Sequence, residues 1–134
     1  MRSEEFEVRT AGALVTDITD LVHRFAARAG ADGLVHVFLP HATAGVALIE
    51  TGSGSEDDLE DALDRLLPRD ERYVHRHGSV GHGGDHLLPA FVAPSLTIPV
   101  DRGRLALGTW QSVVIVDPNR ENHVRRVRLS FVVG

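Results

Sequence analysis

Four short runs rich in Val, Ile and Leu occupy the end of the chain, and they constrain its fold more than any other feature. The runs are Leu96–Val100, Leu105–Thr109, Ser112–Asp117 and Val124–Val133, and short polar turns separate them. Short apolar runs at such close spacing are typical of antiparallel sheets, whose strands need only tight turns between them. We therefore predict an antiparallel β meander in the second half of the chain.

The first half of the chain mixes strands with helices, and no linker or repeat divides residues 1–134. The predicted elements are strands over Glu4–Arg9, Leu34–Leu39 and Thr43–Ile49, a helix from an N-cap at Thr16 to Gly30, a helix over Glu56–Leu67 and a short helix over Asp85–Ala93. The strand Leu34–Leu39 carries apolar residues on both faces, which indicates a central, buried strand. The predicted fold is a single α+β domain with a two-layer or β-sandwich-like antiparallel sheet and two or three helices.

Composition limits the chemistry that is available to the chain. It has no cysteine and no lysine, which excludes thiol nucleophiles, cysteine-ligated metals, disulfides and lysine Schiff bases. A net charge of −5 argues against binding to duplex nucleic acid. No apolar run approaches the roughly 18 residues that a membrane span needs. The first residues lack the apolar core of a signal peptide, so we expect a cytoplasmic protein that binds neither nucleic acid nor membrane.

Histidines give the strongest functional signal. Four of the eight, His75, His77, His82 and His86, fall within 12 residues beside a glycine-rich segment. Imidazole is the commonest protein metal ligand and is well suited to proton transfer near neutral pH. The spacing matches no standard zinc motif, so an exposed polar loop is the competing interpretation. The individual roles of His77 and His82 stay open.

Three further segments carry groups suited to a binding site. His41 follows a predicted buried strand, and Gly108-Thr109-Trp110-Gln111 contains the single Trp of the chain. Arg125 and Arg126 are neighbours on a predicted strand, so their side chains point to opposite faces and one should face inward. A buried guanidinium needs a counter-charge, either a bound phosphate or a carboxylate such as Glu50. The competing interpretation of the Trp segment is a packed β-bend. The competing interpretation of the arginine pair is that both side chains are exposed on an edge strand and discourage aggregation. His36, in the middle of a strand, is expected to be a core histidine.

These motifs, taken in order, resemble the YjbQ family, which is also called the secondary thiamine-phosphate synthase family and has long been classed as uncharacterised. The resemblance covers about Val35 to Gly134 and rests on an ordered set of residues. The set is His36-x4-His41-x-Thr43-Ala44, Glu50, Asp58-Leu59-Glu60, Pro68, Tyr73-x-His75, His86, Ile98-Pro99-Val100, Gly103-Arg104, Gly108-Thr109-Trp110-Gln111 and Arg125-Arg126.

The resemblance implies a homotrimer with sites near its subunit interfaces. It also implies a weak activity that joins a pyrimidine diphosphate to a thiazole phosphate and releases pyrophosphate. The chain departs from the family at Leu88, where the family often has Lys, and the family usually differs at His77, His82 and Asp85. These departures bear on the substrate more than on the fold.

The sequence thus predicts an enzyme that acts on a phosphorylated small molecule. The predicted catalytic residues are His41, Glu50, His75 and His86; the predicted substrate-binding residues are Thr43, Arg104, Trp110, Gln111 and Arg126; and the predicted ligands of a divalent metal, zinc or magnesium, are His41, His75 and His86. Arginine and a metal are the means that a chain without lysine has to neutralise a diphosphate. The alternatives are a metal-dependent hydrolase and a non-catalytic trimeric protein that binds a phosphorylated metabolite or a metal.

Overall fold

Two antiparallel sheets and four helical segments form the fold, in a computed structural model that describes residues 1–75 and 78–134. The elements along the chain are β1 (Arg2–Arg9), β2 (Val15–Asp17), α1 (Thr19–Ala29), β3 (Gly33–Phe38), β4 (Gly45–Ile49), α2 (Ser55–Leu66), α3 (His82–Asp85), α4 (Leu88–Phe91), β5 (Ser95–Asp101), β6 (Arg104–Leu105), β7 (Ser112–Val116) and β8 (Val124–Val133). Two of the helices, α3 and α4, are single turns.

The order of the strands confirms a two-sheet α+β fold and corrects the predicted meander. The larger sheet has the order β1-β8-β3-β5-β6 and the smaller sheet the order β2-β7-β4. Strand β7 therefore leaves the sheet of its neighbours β6 and β8 and pairs with β2 and β4. The run 105–109 was predicted as a strand, but only Arg104–Leu105 pairs with β5. Beyond it the chain turns, and the Gln111 N–H donates to the Gly108 carbonyl.

One apolar core lies between the two sheets and α1. Helix α1 buries Val22, Phe25 and Ala26, which are spaced to lie on one face of the helix. The opposite face of the smaller sheet forms a second cluster, in which Leu63 of α2 and Leu88 of α4 pack on β7. The smaller sheet is thus covered on both faces, and it fixes α2 and the segment around α4 against the rest of the fold.

Helix α1 begins later than predicted. Thr16, the predicted N-cap, belongs to β2, and the helix begins at Thr19. The Asp17 carboxylate instead accepts hydrogen bonds from the N–H and the hydroxyl of Thr19, at 2.9 and 2.6 Å. Strand pairing of Thr16 with Ile115 outweighs the local capping preference. The C-terminal prediction is confirmed, since Gly30 has a φ of 62°.

The larger sheet covers the core with one face only. Val35 and Val37 of β3 are buried, whereas Leu34 and Phe38 point to the other face and are exposed. The prediction of a strand buried on both faces is therefore wrong for this chain by itself. His36 is also on the outer face, half-buried, with its Nδ1 2.9 Å from the Thr97 hydroxyl, so it is not a core histidine. No helix in the described part of the chain is long and apolar enough to cross a membrane.

Candidate functional site

Three histidine rings meet where the segment after α2 packs on α3. His82 begins α3, His86 follows it, and His75 comes from the preceding segment. The ring centroids lie 4.3 Å apart for His75 and His86, 4.5 Å for His82 and His86, and 5.7 Å for His75 and His82. The structure thus brings together two predicted site residues, His75 and His86, and adds His82. His77 and Arg76 lie outside the described residues.

Glycines allow this close approach. A Cβ on Gly83 would lie 2.6 Å from the Cβ of Tyr73 and 2.7 Å from the carbonyl oxygen of His75. A Cβ on Gly84 would lie 2.8 Å from the hydroxyl oxygen of Tyr73, and this hydroxyl donates to the Pro68 carbonyl at 2.6 Å. The segment 78–84 contains four glycines, which favour irregular structure in isolation. The absence of side chains instead lets its last residues form α3 directly against the backbone of the preceding segment.

A buried ion pair ties the two segments together beside the histidines. Asp85 is 2% exposed and accepts hydrogen bonds from both terminal nitrogens of Arg69, at 2.5 and 3.2 Å. Its Oδ2 also lies 4.0 Å from Nδ1 of His82. This pair raises the pKa of Arg69, chiefly through the hydrogen bond to Asp85, so the guanidinium stays charged. Arg69 is not among the site residues that the sequence predicts.

The nitrogens of His82 and His86 share one hydrogen bond. Their Nε2 atoms lie 2.8 Å apart, so one ring donates a proton and the other accepts it. Both side chains are half-buried, and His75 is exposed. A cavity of about 110 Å³ is lined by His75, Asp70, Glu71, Tyr73, residues 78–81 and Gly83. The cluster can therefore hold and transfer a proton next to this cavity.

The predicted metal site requires three ligands arranged around one ion, which the described residues do not provide. Among residues 1–75 and 78–134, no group of three or more histidine and carboxylate side chains is arranged to hold a metal ion. His41, the third predicted ligand, makes its hydrogen bonds elsewhere: its Nε2 accepts the backbone N–H of Arg126 at 2.8 Å. No hydrogen bond or ion pair of His41 within the described part of the chain reaches His75 or His86.

His41 is half-buried next to positive charge. Burial lowers its pKa below the ordinary value, and the Arg125 guanidinium lowers it further. The Arg126 carbonyl oxygen, 3.2 Å from Nε2, and the charge of Asp117 act in the opposite direction on the pKa but are weaker. An Nε2 atom that accepts an amide hydrogen places the proton of a neutral ring on Nδ1. His41 is therefore held as a neutral imidazole in one tautomer.

Arg125, and not Arg126, is the inward arginine of the predicted pair. Arg125 donates from Nε to the buried carboxylate of Asp117 at 2.5 Å and from Nη2 to the Thr43 hydroxyl at 3.0 Å. Glu50, the partner that the sequence suggested, is exposed. The signal that could have identified Asp117 is its position at the end of a buried strand, where an acidic residue needs a partner.

The other predicted binding residues lie on the surface of the chain. Arg126 is exposed, with its Nη1 4.0 Å from Glu5, and Arg104 is exposed on β6. Trp110 is 72% exposed, and Gln111 accepts the N–H of Gly108 at 2.8 Å, which closes the turn. Within the described residues, no hydrogen bond or ion pair links these four side chains to the histidine cluster.

Comparison with known proteins places the chain in a family. The family model described as UPF0047 protein YjbQ-like matches residues 4–134. The chain belongs to the UPF0047 family. The resemblance found in the sequence is thereby confirmed.

Several relatives match over most of their length. A UPF0047 protein of Mycobacterium tuberculosis is 61% identical over 134 residues, which is 100% of both chains. A UPF0047 protein of Archaeoglobus fulgidus is 33% identical over 115 residues, 84% of this chain and 88% of the relative. The crystal structure of a hypothetical protein from Aeropyrum pernix K1 superimposes with a TM-score of 0.90 at 30% identity, covering 100% of both chains.

A YbjQ-like protein of unknown function from Sulfolobus solfataricus P2 supports the fold assignment. It superimposes with a TM-score of 0.91 at 23% identity, covering 99% of this chain and 97% of the relative. The α+β fold with two antiparallel sheets is thus a property that this UPF0047 chain shares with solved structures.

Proposed function

We propose that this UPF0047 chain is a small-molecule enzyme of the secondary thiamine-phosphate synthase type. It would join a pyrimidine diphosphate to a thiazole phosphate and release pyrophosphate. The observation that carries the proposal is the 2.8 Å contact between the Nε2 atoms of His82 and His86, next to His75 and a cavity of about 110 Å³. A shared proton beside such a space is what acid–base catalysis on a small substrate needs.

In the proposed reaction, the histidines donate a proton to the leaving pyrophosphate. Attack by the thiazole nitrogen on the carbon that bears the diphosphate breaks the carbon–oxygen bond, and the bonding electrons leave with pyrophosphate. A proton delivered to that leaving oxygen, or held close to it, lowers the barrier by stabilising the developing charge. His86, half-buried in the cluster, is the proposed donor, with His75 at the exposed side of the cluster as a second proton-transfer group.

Arginines are the proposed phosphate ligands. Arg126 and Arg104 are exposed in the single chain, and we propose that they complete the site of a neighbouring subunit in a homotrimer. Thr43, Trp110, Gln111 and Glu50 are proposed to act at the same composite site, as the family resemblance implies. Arginine suits this role because its guanidinium binds phosphate oxygens through two parallel hydrogen bonds.

Pyrophosphate release by variants of the cluster tests the proposal. The two substrates are mixed with the protein, and pyrophosphate is measured in wild type, His86→Gln and His82→Gln. We expect both variants to lose at least about 100-fold in kcat, the usual contribution of a proton-transfer residue. His23→Gln is the matched control, because it makes the same change at an exposed histidine of α1. Unchanged activity in His86→Gln would contradict the proposal.

A divalent metal, zinc or magnesium, is a separate proposal. The residues described above do not by themselves provide three ligands, so the proton-transfer chemistry is derived from the histidines alone. Metal analysis of protein purified without an affinity tag tests it, with wild type, His41→Ala, His75→Ala and His86→Ala in parallel. A stoichiometric metal that the histidine variants lose would support the metal site. Metal-free protein with full activity would reject it.

Two other functions make different predictions in the same assays. A metal-dependent hydrolase would release phosphate or pyrophosphate from the pyrimidine diphosphate when the thiazole phosphate is omitted. A non-catalytic binding protein would bind the phosphorylated compounds in calorimetry without any turnover. The shared proton of His82 and His86 favours an enzyme over the binding protein, because a protein that only binds has no need for it.

The homotrimer and a cytoplasmic location complete the proposal. The outer face of the larger sheet, with exposed Leu34, Phe38 and Val132, supports the assembly because such a face is usually covered. Light scattering measures the assembly, and cell fractionation measures the location. A monomer at micromolar concentration would leave Arg126 and Arg104 without the neighbouring site that they are proposed to complete.

A further inference from the structure

The buried carboxylate of Asp85 lies at the end of a line of polar groups that runs through both half-buried histidines. Its Oδ2 lies 4.0 Å from Nδ1 of His82, and Nε2 of His82 lies 2.8 Å from Nε2 of His86. A carboxylate, an imidazole and a second imidazole therefore follow one another. Asp85 is not among the residues that the sequence predicts for the site or that the proposed reaction requires.

Arg69 holds the carboxylate in place and leaves one oxygen turned towards the histidine. The shorter hydrogen bond, 2.5 Å, goes to Oδ1, and the longer one, 3.2 Å, goes to Oδ2, the oxygen nearest to His82. Asp85 is 2% exposed, so water screens its charge weakly. The negative potential of this carboxylate thus acts on His82 from a fixed direction.

That potential selects one of the two arrangements of the shared proton. A ring nitrogen that faces a carboxylate at 4.0 Å is favoured with its hydrogen and disfavoured with its lone pair, although the distance is too long for a hydrogen bond. A neutral His82 with its hydrogen on Nδ1 has its lone pair on Nε2. His86 must then donate from Nε2, and the basic nitrogen of a neutral His86 is Nδ1.

We infer that Asp85 is a positioning residue that fixes His82 as the Nδ1–H tautomer and, through it, His86 as the Nε2–H tautomer. The inference rests on the proposed acid–base role of the cluster and explains how that role is set. When Nδ1 of His86 accepts a proton, the imidazolium donates to His82, and His82 in turn faces Asp85. Carboxylates that orient catalytic imidazoles act in this way: they fix the tautomer and stabilise the cation without accepting the proton.

The tautomers are measured directly by the nitrogen chemical shifts of the histidine rings in long-range ¹H–¹⁵N spectra. The spectra are recorded at about pH 8, above the ordinary histidine pKa, with His82→Gln and His86→Gln for assignment. We expect wild type to show the hydrogen of His82 on Nδ1 and that of His86 on Nε2. A wild-type spectrum with the hydrogen of His82 on Nε2 overturns the inference, whatever any variant does.

Asp85→Asn is the decisive variant. The N–H groups of Arg69 should donate to the amide oxygen of the new side chain, which turns its NH₂ group towards His82. An NH₂ donor favours a lone pair on Nδ1, so both tautomers should invert. Arg69→Gln is the matched control: it removes the ion pair but keeps the carboxylate, and it should keep the wild-type tautomers. Folding of each variant is checked by the dispersion of its amide spectrum. Unchanged tautomers in a folded Asp85→Asn protein would also overturn the inference.

Pyrophosphate release separates this inference from the proposed function. If both are right, Asp85→Asn lowers kcat about 10- to 100-fold, the usual cost of removing a residue that orients a catalytic histidine, with little change in KM. If the tautomers invert and the activity is unchanged, Asp85 sets the tautomers as inferred, and the proposed function of this site is wrong. If the activity falls while the tautomers stay the same, the inference about Asp85 is wrong and the proposed function of the site stands.

Discussion

His41 is a residue whose surroundings oppose its protonation. Its Nε2 accepts the backbone N–H of Arg126, and the positive charge of the Arg125 guanidinium acts on the ring. Burial and this positive charge lower its pKa. In the unfolded chain the ring recovers its ordinary pKa of about 6.5 and binds a proton more readily than in the folded chain. Acid therefore favours the unfolded state at this residue.

We predict that His41→Gln removes this pH dependence. The Gln oxygen can accept the Arg126 N–H but does not titrate. Above about pH 7 the two proteins should have similar free energies of unfolding, and below the ordinary histidine pKa of about 6.5 wild type should lose stability relative to the variant. Urea unfolding between pH 8 and pH 5 measures the difference. His41→Ala separates the two effects, because it also removes the acceptor and should cost about 0.5–1.5 kcal/mol at every pH.

The opposite trend, with wild type gaining stability relative to His41→Gln as the pH falls, would show that His41 is protonated in the folded protein. Its bond with the Arg126 backbone would then run from Nε2 to the carbonyl oxygen, which lies 3.2 Å away.

At the scale of elements, the pairing of Arg125 with Asp117 joins β8 to the end of β7. Both side chains are buried, and the Asp117 carboxylate also accepts from the Asn119 N–H at 3.0 Å. We predict that Asp117→Ala lowers the free energy of unfolding by about 3–5 kcal/mol, because it leaves a buried guanidinium without its counter-charge. Glu5→Ala, which breaks exposed contacts with Arg128 and Arg126, should cost less than about 1 kcal/mol. Chemical denaturation measures both, and equal losses would contradict the structural role of the buried pair.

The packing of α3 depends on a glycine. We predict that Gly83→Ala costs about 1–3 kcal/mol, since its Cβ would overlap the Cβ of Tyr73 and the backbone oxygen of His75. Gly108→Ala is the control, because its Cβ would meet only the end of the Gln111 side chain, at 3.3 Å. Thermal unfolding compares the two variants, and the histidine ring signals report whether the cluster separates. A Gly83→Ala protein as stable as the Gly108→Ala protein would mean that the two segments do not pack as described.

Local sequence patterns predicted the helices and strands better than they predicted which strands pair with each other. The apolar stripe of α1 and the alternation of β8 are set by residues close in sequence, so both elements could be predicted. Strand β2 has three residues, too few to show any periodicity. It nevertheless pairs with β7 in the smaller sheet, for example at Thr16 and Ile115. The histidine cluster could be predicted from spacing within 12 residues. Its ion pair could not, because Asp85 and Arg69 are 16 residues apart and no periodic pattern in the sequence connects them.

At the scale of the whole molecule, the outer face of the larger sheet carries an exposed apolar patch in the described part of the chain, beside the polar side chains of His36 and Arg128. Leu34 is 44% exposed, Val132 44% and Phe38 37%, and Leu34 pairs directly with Val132 and with Pro99 across the strands. Monomeric proteins seldom leave a contiguous apolar patch on a sheet face. In the proposed homotrimer, neighbouring copies of the chain cover this face.

We predict that Leu34→Glu dissociates the assembly. Three charges introduced into a shared apolar interface would have to lose their hydration without a partner, which costs more than such an interface gains. Light scattering of wild type should give three times the chain mass of 14.6 kDa, and Leu34→Glu should give 14.6 kDa with an unchanged circular dichroism spectrum. Val74→Glu is the control, because Val74 is 99% exposed and lies outside the sheets, so the trimer mass should persist. A trimeric Leu34→Glu protein would mean that the copies meet on another surface, and Arg126 and Arg104 would then need a different route to the histidine cluster.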